Sequence, residues 1–146
     1  SPYLLPTEPI LLALKTAAAA GVDVRIMIPE KSDSRMVHWG TMSYLQELME
    51  AGIKIYMYQK GFLHSKLIVC DDCLSSVGST NMDFRSFEHN FEINAFMYDK
   101  TSALMLKDIF LSDQKDAKLL HLKEWRMRPW SQKVKESVIR LFAPLL

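Results

Sequence analysis

Phe62-Leu63-His64-Ser65-Lys66-Leu67-Ile68-Val69-Cys70, then Asp71-Asp72-Cys73, then Leu74-Ser75-Ser76-Val77-Gly78 reads as two β-strands joined by a tight turn. In the first strand Leu67, Ile68, Val69 and Cys70 are all apolar, which predicts a strand covered on both faces at the centre of a sheet. His64 and Lys66 stand two apart on it, so both side chains point to one face. An unpaired ammonium is costly to bury. Taken alone, these two residues would fit a frayed, solvent-exposed strand start.

Upstream, the pattern alternates. Residues 6–21 read as a helix, with Pro and Glu near its start, an Ala17-to-Ala20 run and Gly21 as its stop. Residues 22–29 follow as a strand, 34–52 as a helix with Ser32, Asp33 and Ser34 offering capping oxygens, and 53–58 as a strand. This alternation predicts an α/β fold with helices on the faces of a sheet. Downstream, residues 91–98 read as a strand and 101–111, 117–126 and 129–142 as helices.

The 146 residues, 49% of them hydrophobic, can bury one ordinary core. Eighteen Lys and Arg nearly cancel 17 Asp and Glu, so the total suggests neither a DNA clamp nor an acidic disordered tail. No apolar run approaches the ~18 residues of a bilayer span, no signal segment opens the chain, and the start at Ser1-Pro2-Tyr3 without Met reads as a piece of something longer. Charge is unevenly placed. Residues 1–117 hold 11 basic and 15 acidic side chains, and residues 118–146 hold 7 and 2. That basic tail, with Trp125, Trp130, Leu141, Phe142 and Leu145-Leu146, suits either an anionic membrane surface or a helix whose apolar stripe packs on its own domain, leaving Lys133, Lys135 and Arg140 solvated. The expected division is one domain over 1–117 and a basic amphipathic helical extension over 118–146, packed on that domain or continuing it. The only cysteines, Cys70 and Cys73, flank two aspartates that would raise thiol pKa values, and no second ligand pair accompanies them, which speaks against a redox couple or a zinc site.

The wider spacing singles out a site. His64-x-Lys66 is followed by Asp71 and then by Gly78-Ser79-x-Asn81, and in this composition HxKxxxxD alone arises by chance about 0.02 times per chain. The string resembles the HKD signature of the phospholipase D superfamily. Its surroundings, residues 61–66, 76–87 and Asn90-Phe91-Glu92-Ile93-Asn94, resemble the second HKD half of the bacterial cardiolipin synthases, as does the ending from Lys123-Glu124-Trp125 to Leu146. The resemblance implies a phospholipase D-like α/β/α sandwich with a mixed central sheet and C-terminal helices. It also implies phosphatidyl transfer between two phosphatidylglycerol molecules, giving cardiolipin and glycerol through a phosphohistidine, with no metal or other cofactor.

Such chemistry explains the residue types. One imidazole attacks phosphorus while a second, from another HKD half, protonates the leaving alkoxide. Lys66 and the amide of Asn81 suit the charge gathering on the equatorial oxygens. Gly78 allows a close backbone approach or an unusual φ, and Ser79 sets a short hydroxyl beside the phosphate. By resemblance Asp71 supports the structure, and Glu92 orients a catalytic imidazole, commonly that of the opposite half. Which imidazole is the nucleophile stays open. Tyr3 lies in a stretch resembling the family's strand end near the site, and Asp83, Arg85 and Ser86 suit a bonded turn or headgroup recognition. His38, His89 and His121 lack a motif. The implied partners are anionic phospholipid, the membrane surface through 118–146, and a missing N-terminal HKD half or a second copy; nucleic acid is not expected. The implied location is the bacterial cytoplasmic membrane, with an anchoring segment preceding this chain. Two other readings remain: a homodimeric single-HKD nuclease, and a non-catalytic module binding anionic lipid.

Overall fold

The computed structural model describes residues 1–145; Leu146, at the end of the basic tail, lies outside them. The chain runs β1 (Leu4–Leu5), α1 (Glu8–Ala19), β2 (Arg25–Pro29), α2 (Arg35–Glu50), β3 (Lys54–Tyr58), β4 (Leu67–Cys70), β5 (Leu74–Gly78), β6 (Met82–Asp83), α3 (Phe84–Glu88), β7 (Asn94–Met97), α4 (Lys100–Gln114), β8 (Ala117–Leu119), α5 (Leu122–Arg126) and α6 (Trp130–Arg140). The architecture is α/β and the pairings are mixed. β1 pairs parallel with β6; β3 pairs parallel with β2 and antiparallel with β8; β5 lies between β4 and β7, antiparallel to both. The helix α4 rests against β3, β4, β5 and β8 and so ties the two three-stranded sets together, while α2 carries α5 and α6.

Local chemistry accounts for the helix ends. Ser34 caps α2 by accepting the Val37 N–H at 3.5 Å, and Gly52 leaves it at φ 92°, a conformation that favours glycine. Apolar side chains of α2 then meet β1 and the strands behind it. Leu4, Leu5, Ile28, Leu45, Leu48 and Ile55 are wholly buried there. Thr41 Oγ1, also buried, accepts the Leu4 N–H at 3.2 Å, fastening the N-terminal strand to the helix.

Two expectations are corrected. Residues 117–119 form a strand, not the start of a helix: Tyr56↔Leu119, Met57↔Lys118 and Tyr58↔Ala117 pair, and edge pairing on β3 outweighs the segment's helical character. Strand β4 begins at Leu67 rather than residue 62 and sits at an edge, paired only with β5. Its all-apolar run is half-buried at Leu67 and Val69, but Ile68 is 49% exposed and Cys70 is exposed, so one face is covered and the other lies open. Among the described residues no buried hydrophobic side chain lies between Tyr58 and Ser102, whereas Phe91, Ile93 and Phe96 are prominently exposed. The segment bearing the HKD residues therefore lacks a core of its own.

Candidate active site

The β4–β5 hairpin turns through Asp71 and Asp72, both left-handed at φ 49° and 56°, and the Cys73 N–H closes it on the Cys70 carbonyl at 3.2 Å. Two positive φ values in succession match the twist of a hairpin, and Asp tolerates that region better than most residues. Lys107 of α4 pins the turn through Asp72 at 2.6 Å. Five residues of strand, roughly 16 Å, separate Asp71 from Lys66, so Asp71 stands at the far end of β4 from the other motif residues.

At the near end the ladder continues past the strands. The Gly78 N–H donates to the Lys66 carbonyl at 3.3 Å, setting Lys66 opposite Gly78, and His64 lies two residues further out with its imidazole exposed. That imidazole rests 5.3 Å from the Phe62 ring and makes no side-chain hydrogen bond among the described residues. Gly78 is required by crowding rather than by φ. A Cβ there would collide with Asn94 Oδ1 and the Ile93 carbonyl and come within 2.6 Å of Asn94 Cα. Even a methyl group would push β7 away from β5.

Beyond Gly78, Ser79 bonds the segment leading into β7 three ways. Its N–H donates to the Ile93 carbonyl at 2.9 Å, its Oγ accepts the Ile93 N–H at 3.0 Å, and its hydroxyl donates to Glu92 Oε2. The Asn90 amide donates to the other Glu92 oxygen at 3.2 Å, and the Asn94 amide donates to Thr80 Oγ1. Next, the Asn81 N–H donates to Ser86 Oγ at 3.1 Å, while Asp83, buried, caps α3 by accepting the Ser86 N–H at 2.7 Å. Asp83 and Ser86 thus make the bonded turn; Arg85 is exposed. The Asn81 side-chain oxygen is buried without a donor among the described residues, an acceptor the fold itself leaves unused.

Charge collects around Lys66. Its ammonium donates to the His64 carbonyl at 2.9 Å, and burial holds its pKa below the ordinary lysine value against the opposing pull of Glu92, Asp83 and Asp33. The Ser79 hydroxyl, followed by Asn90, Ser86 and Lys66, holds the Glu92 carboxyl below its usual range. A Ser79→Ala chain is therefore expected to show the Glu92 carboxyl titrating at higher pH than in wild type. Carboxyl carbon shifts followed by NMR read this directly, and an unchanged titration would contradict the assignment.

The resemblance put Tyr3 near the site, but sequence reasoning missed its partner Asp33. The Tyr3 hydroxyl donates to Asp33 at 2.8 and 3.0 Å, and burial, with Asp33 added, pushes its pKa up to about 12. The pairing Leu4↔Met82 sets Tyr3 beside Asn81, 78 positions later, and the Met82 N–H donates to Ser1 Oγ at 3.1 Å. No local pattern signals contacts of that range. His38, His89 and His121 lie on α2, after α3 and before α5, outside the cluster. Burial, then Asp71 and Cys73, raise the Cys70 pKa.

Residues 1–114 match the family described as the cardiolipin synthase PLD-like domain. The whole chain is 49% identical to a cardiolipin synthase of Geobacillus kaustophilus (strain HTA426), 51% identical to that of Geobacillus sp. (strain WCH70) and 49% identical to cardiolipin synthase 1 of Staphylococcus epidermidis. It spans only 29%, 29% and 30% of their lengths. Among solved structures, the phosphatidylserine synthase of Haemophilus influenzae Rd KW20 superposes with a TM-score of 0.74 over 100% of this chain and 40% of that one, at 16% identity. The phospholipase D family member Nuc from Salmonella typhimurium gives 0.69 over 82% and 78%, at 23% identity. At such identities these two likenesses concern the fold alone.

Proposed function

The chain belongs to the cardiolipin synthase PLD-like domain family, and from that premise we propose that it supplies half of an active site moving a phosphatidyl group from one phosphatidylglycerol to another. The observation that carries this reading is the open cluster of His64, Lys66, Ser79 and Glu92, which holds one imidazole where the chemistry needs two. The missing half of a longer protein, or a second copy, would bring the other. The exposed Ile68 and Phe96, cross-strand neighbours of Ser76 on the face that carries His64 and Lys66 by alternation, give that half something to cover.

In this reading an imidazole nitrogen attacks phosphorus, the phosphorus–oxygen bond to the headgroup glycerol breaks, and the other imidazole, protonated, gives its proton to the departing oxygen. A headgroup hydroxyl of a second phosphatidylglycerol then attacks the phosphohistidine and returns a proton, so two phosphatidylglycerols become cardiolipin and glycerol. One phosphoester replaces another, and no energy-rich cosubstrate enters. Lys66 and the Asn81 amide stabilise the equatorial oxygens. Glu92, engaged by Ser79 and not by His64, holds the incoming imidazole in this reading. Asp71 and Gly78 keep the hairpin in shape. The reaction takes place where its lipid lies, although among the described residues no helix is long and apolar enough to cross a membrane.

The test is transfer from labelled phosphatidylglycerol, with this chain alone and with its completing half restored. Cardiolipin is expected only from the completed protein. Plasmid cleavage in EDTA by the chain alone, without lipid turnover, would instead favour the nuclease formed from two copies.

A further inference from the structure

The terminal helix α6 is turned inside out relative to expectation. Instead of packing an apolar stripe on the domain with its cations in solvent, it presents its charged face to α2. Glu136 is buried and takes Arg128 at 2.7 Å; Arg140 reaches Glu47 at 2.8 Å and lies over the Tyr44 ring at 4.2 Å. Lys133 donates to the Arg126 carbonyl at 2.6 Å, and Lys135 sits 5.9 Å from the Trp39 ring. Four apolar residues face outward, while Ile139 on the other side is half-buried. Trp130, Val134, Val138 and Leu141 fall within about 80° of one another at 100° per residue, and all four are exposed, Trp130 by 78% and Leu141 by 79%.

This orientation has a local cause. Glu47 of α2 attracts Arg140 of α6, and Trp125 holds the Arg128 guanidinium 3.5 Å above its ring, from where it meets Glu136. These contacts use the polar side of α6 as its inner side, and the stripe is left without a partner among the described residues.

We infer that the outward stripe of α6 is a docking face for the surface of an anionic lipid bilayer. The inference rests on the reading that the substrate is phosphatidylglycerol, an anionic lipid. Charge supports this occupant: residues 118–146 carry 7 basic and 2 acidic side chains, and Lys133 and Lys135, which flank the stripe about 100° to either side of its centre, have no carboxylate within 4.0 Å among the described residues. Dimension supports it too. A helix of 11 residues is roughly 16 Å long, and one stripe of four side chains falls well short of the about 800 Å² per partner that a stable protein interface buries. A shallow stripe with an aromatic residue at one end and cations beside it suits the headgroup boundary, where an amphipathic helix sinks about 5–10 Å. Hydrophobic contact and attraction to anionic headgroups then act together, neither sufficing alone.

The test is co-sedimentation of the 146-residue chain with phosphatidylglycerol–phosphatidylcholine vesicles and with phosphatidylcholine vesicles, at roughly 0.1 M salt. The chain is expected to bind the anionic vesicles, with a blue shift in Trp130 emission that a Trp130→Phe chain loses. A Trp130→Ser/Val138→Ser chain is expected to bind at least about tenfold more weakly with an unchanged urea midpoint, since both side chains are solvent-exposed. Equal binding by that chain would overturn the inference, as would a change in its association with the completing half or with itself while vesicle binding persists. Transfer on a short-chain phosphatidylglycerol below its micellar concentration separates this from the catalytic reading. There the stripe variant, completed, keeps its rate. Vesicle binding without any such transfer would remove the catalytic reading and leave the docking face standing.

Discussion

A His64→Asn protein, completed by its other half, is expected to form cardiolipin about 10⁴-fold more slowly than wild type while holding the same fold. The effect is large because in the proposed mechanism this imidazole carries either the phosphoryl group or the proton of each half-reaction, and Asn can do neither. Stability should barely move: the imidazole is exposed and makes no side-chain hydrogen bond among the described residues. Rates from labelled phosphatidylglycerol, set beside urea unfolding of the same preparation, separate the two. Turnover at the wild-type rate would remove His64 from the mechanism. A trapped phosphoprotein in single-turnover experiments, present in wild type and missing in His64→Asn, would make His64 the nucleophile; phosphoprotein accumulating in the variant would make it the acid and base.

An Arg128→Met protein is expected to lose about 3 kcal/mol of stability near neutral pH, because it strands the Glu136 carboxylate. The side chains of this pair are only 15% and 9% exposed, and the guanidinium also donates to the Trp125 carbonyl at 3.0 Å. Burial already lifts the Glu136 pKa above the ordinary carboxylate value against the pull of Arg128. Without Arg128 it rises further above its unfolded value. A carboxyl whose folded pKa is raised binds its proton more tightly when folded, so its contribution to stability falls as pH climbs from the unfolded pKa through the folded one. The deficit should accordingly be largest near pH 7.5 and shrink near about pH 5, as read by urea unfolding at the two pH values. A Glu136→Gln protein, which removes the buried charge itself, should lose much less. Equal deficits at both pH values would mean that the loss comes from Trp125 packing and not from the stranded carboxylate.

How much was legible depended on the range of the interaction. Gly21 and Gly52 mark the helix stops, Ser34 the cap, and Asp71-Asp72 the hairpin, because each acts within three or four residues. His64 and Lys66 share a face because strand geometry has a period of two. Residues 117–119 were misread because the competing partner, β3, lies about 60 positions away, whereas 122–126 form the helix that was expected. The run Leu67 to Cys70 suggested a central strand, yet β4 is an edge, because an apolar face need not be covered by its own chain.

By itself the sequence determined the α/β alternation, through its periodicity, and the His64-x-Lys66 to Asn81 spacing, whose chemistry is what the resemblance to the HKD signature implies. Only the tertiary structure decided that Gly78 is required by Asn94 and Ile93, that Asp33 takes the Tyr3 hydroxyl beside the site, and that α6 shows its apolar side to solvent. Those outcomes follow from which elements meet. A helix with one charged and one apolar face can be laid down either way, and Glu47 of α2 together with Arg128, held over Trp125, are what turned this one outward.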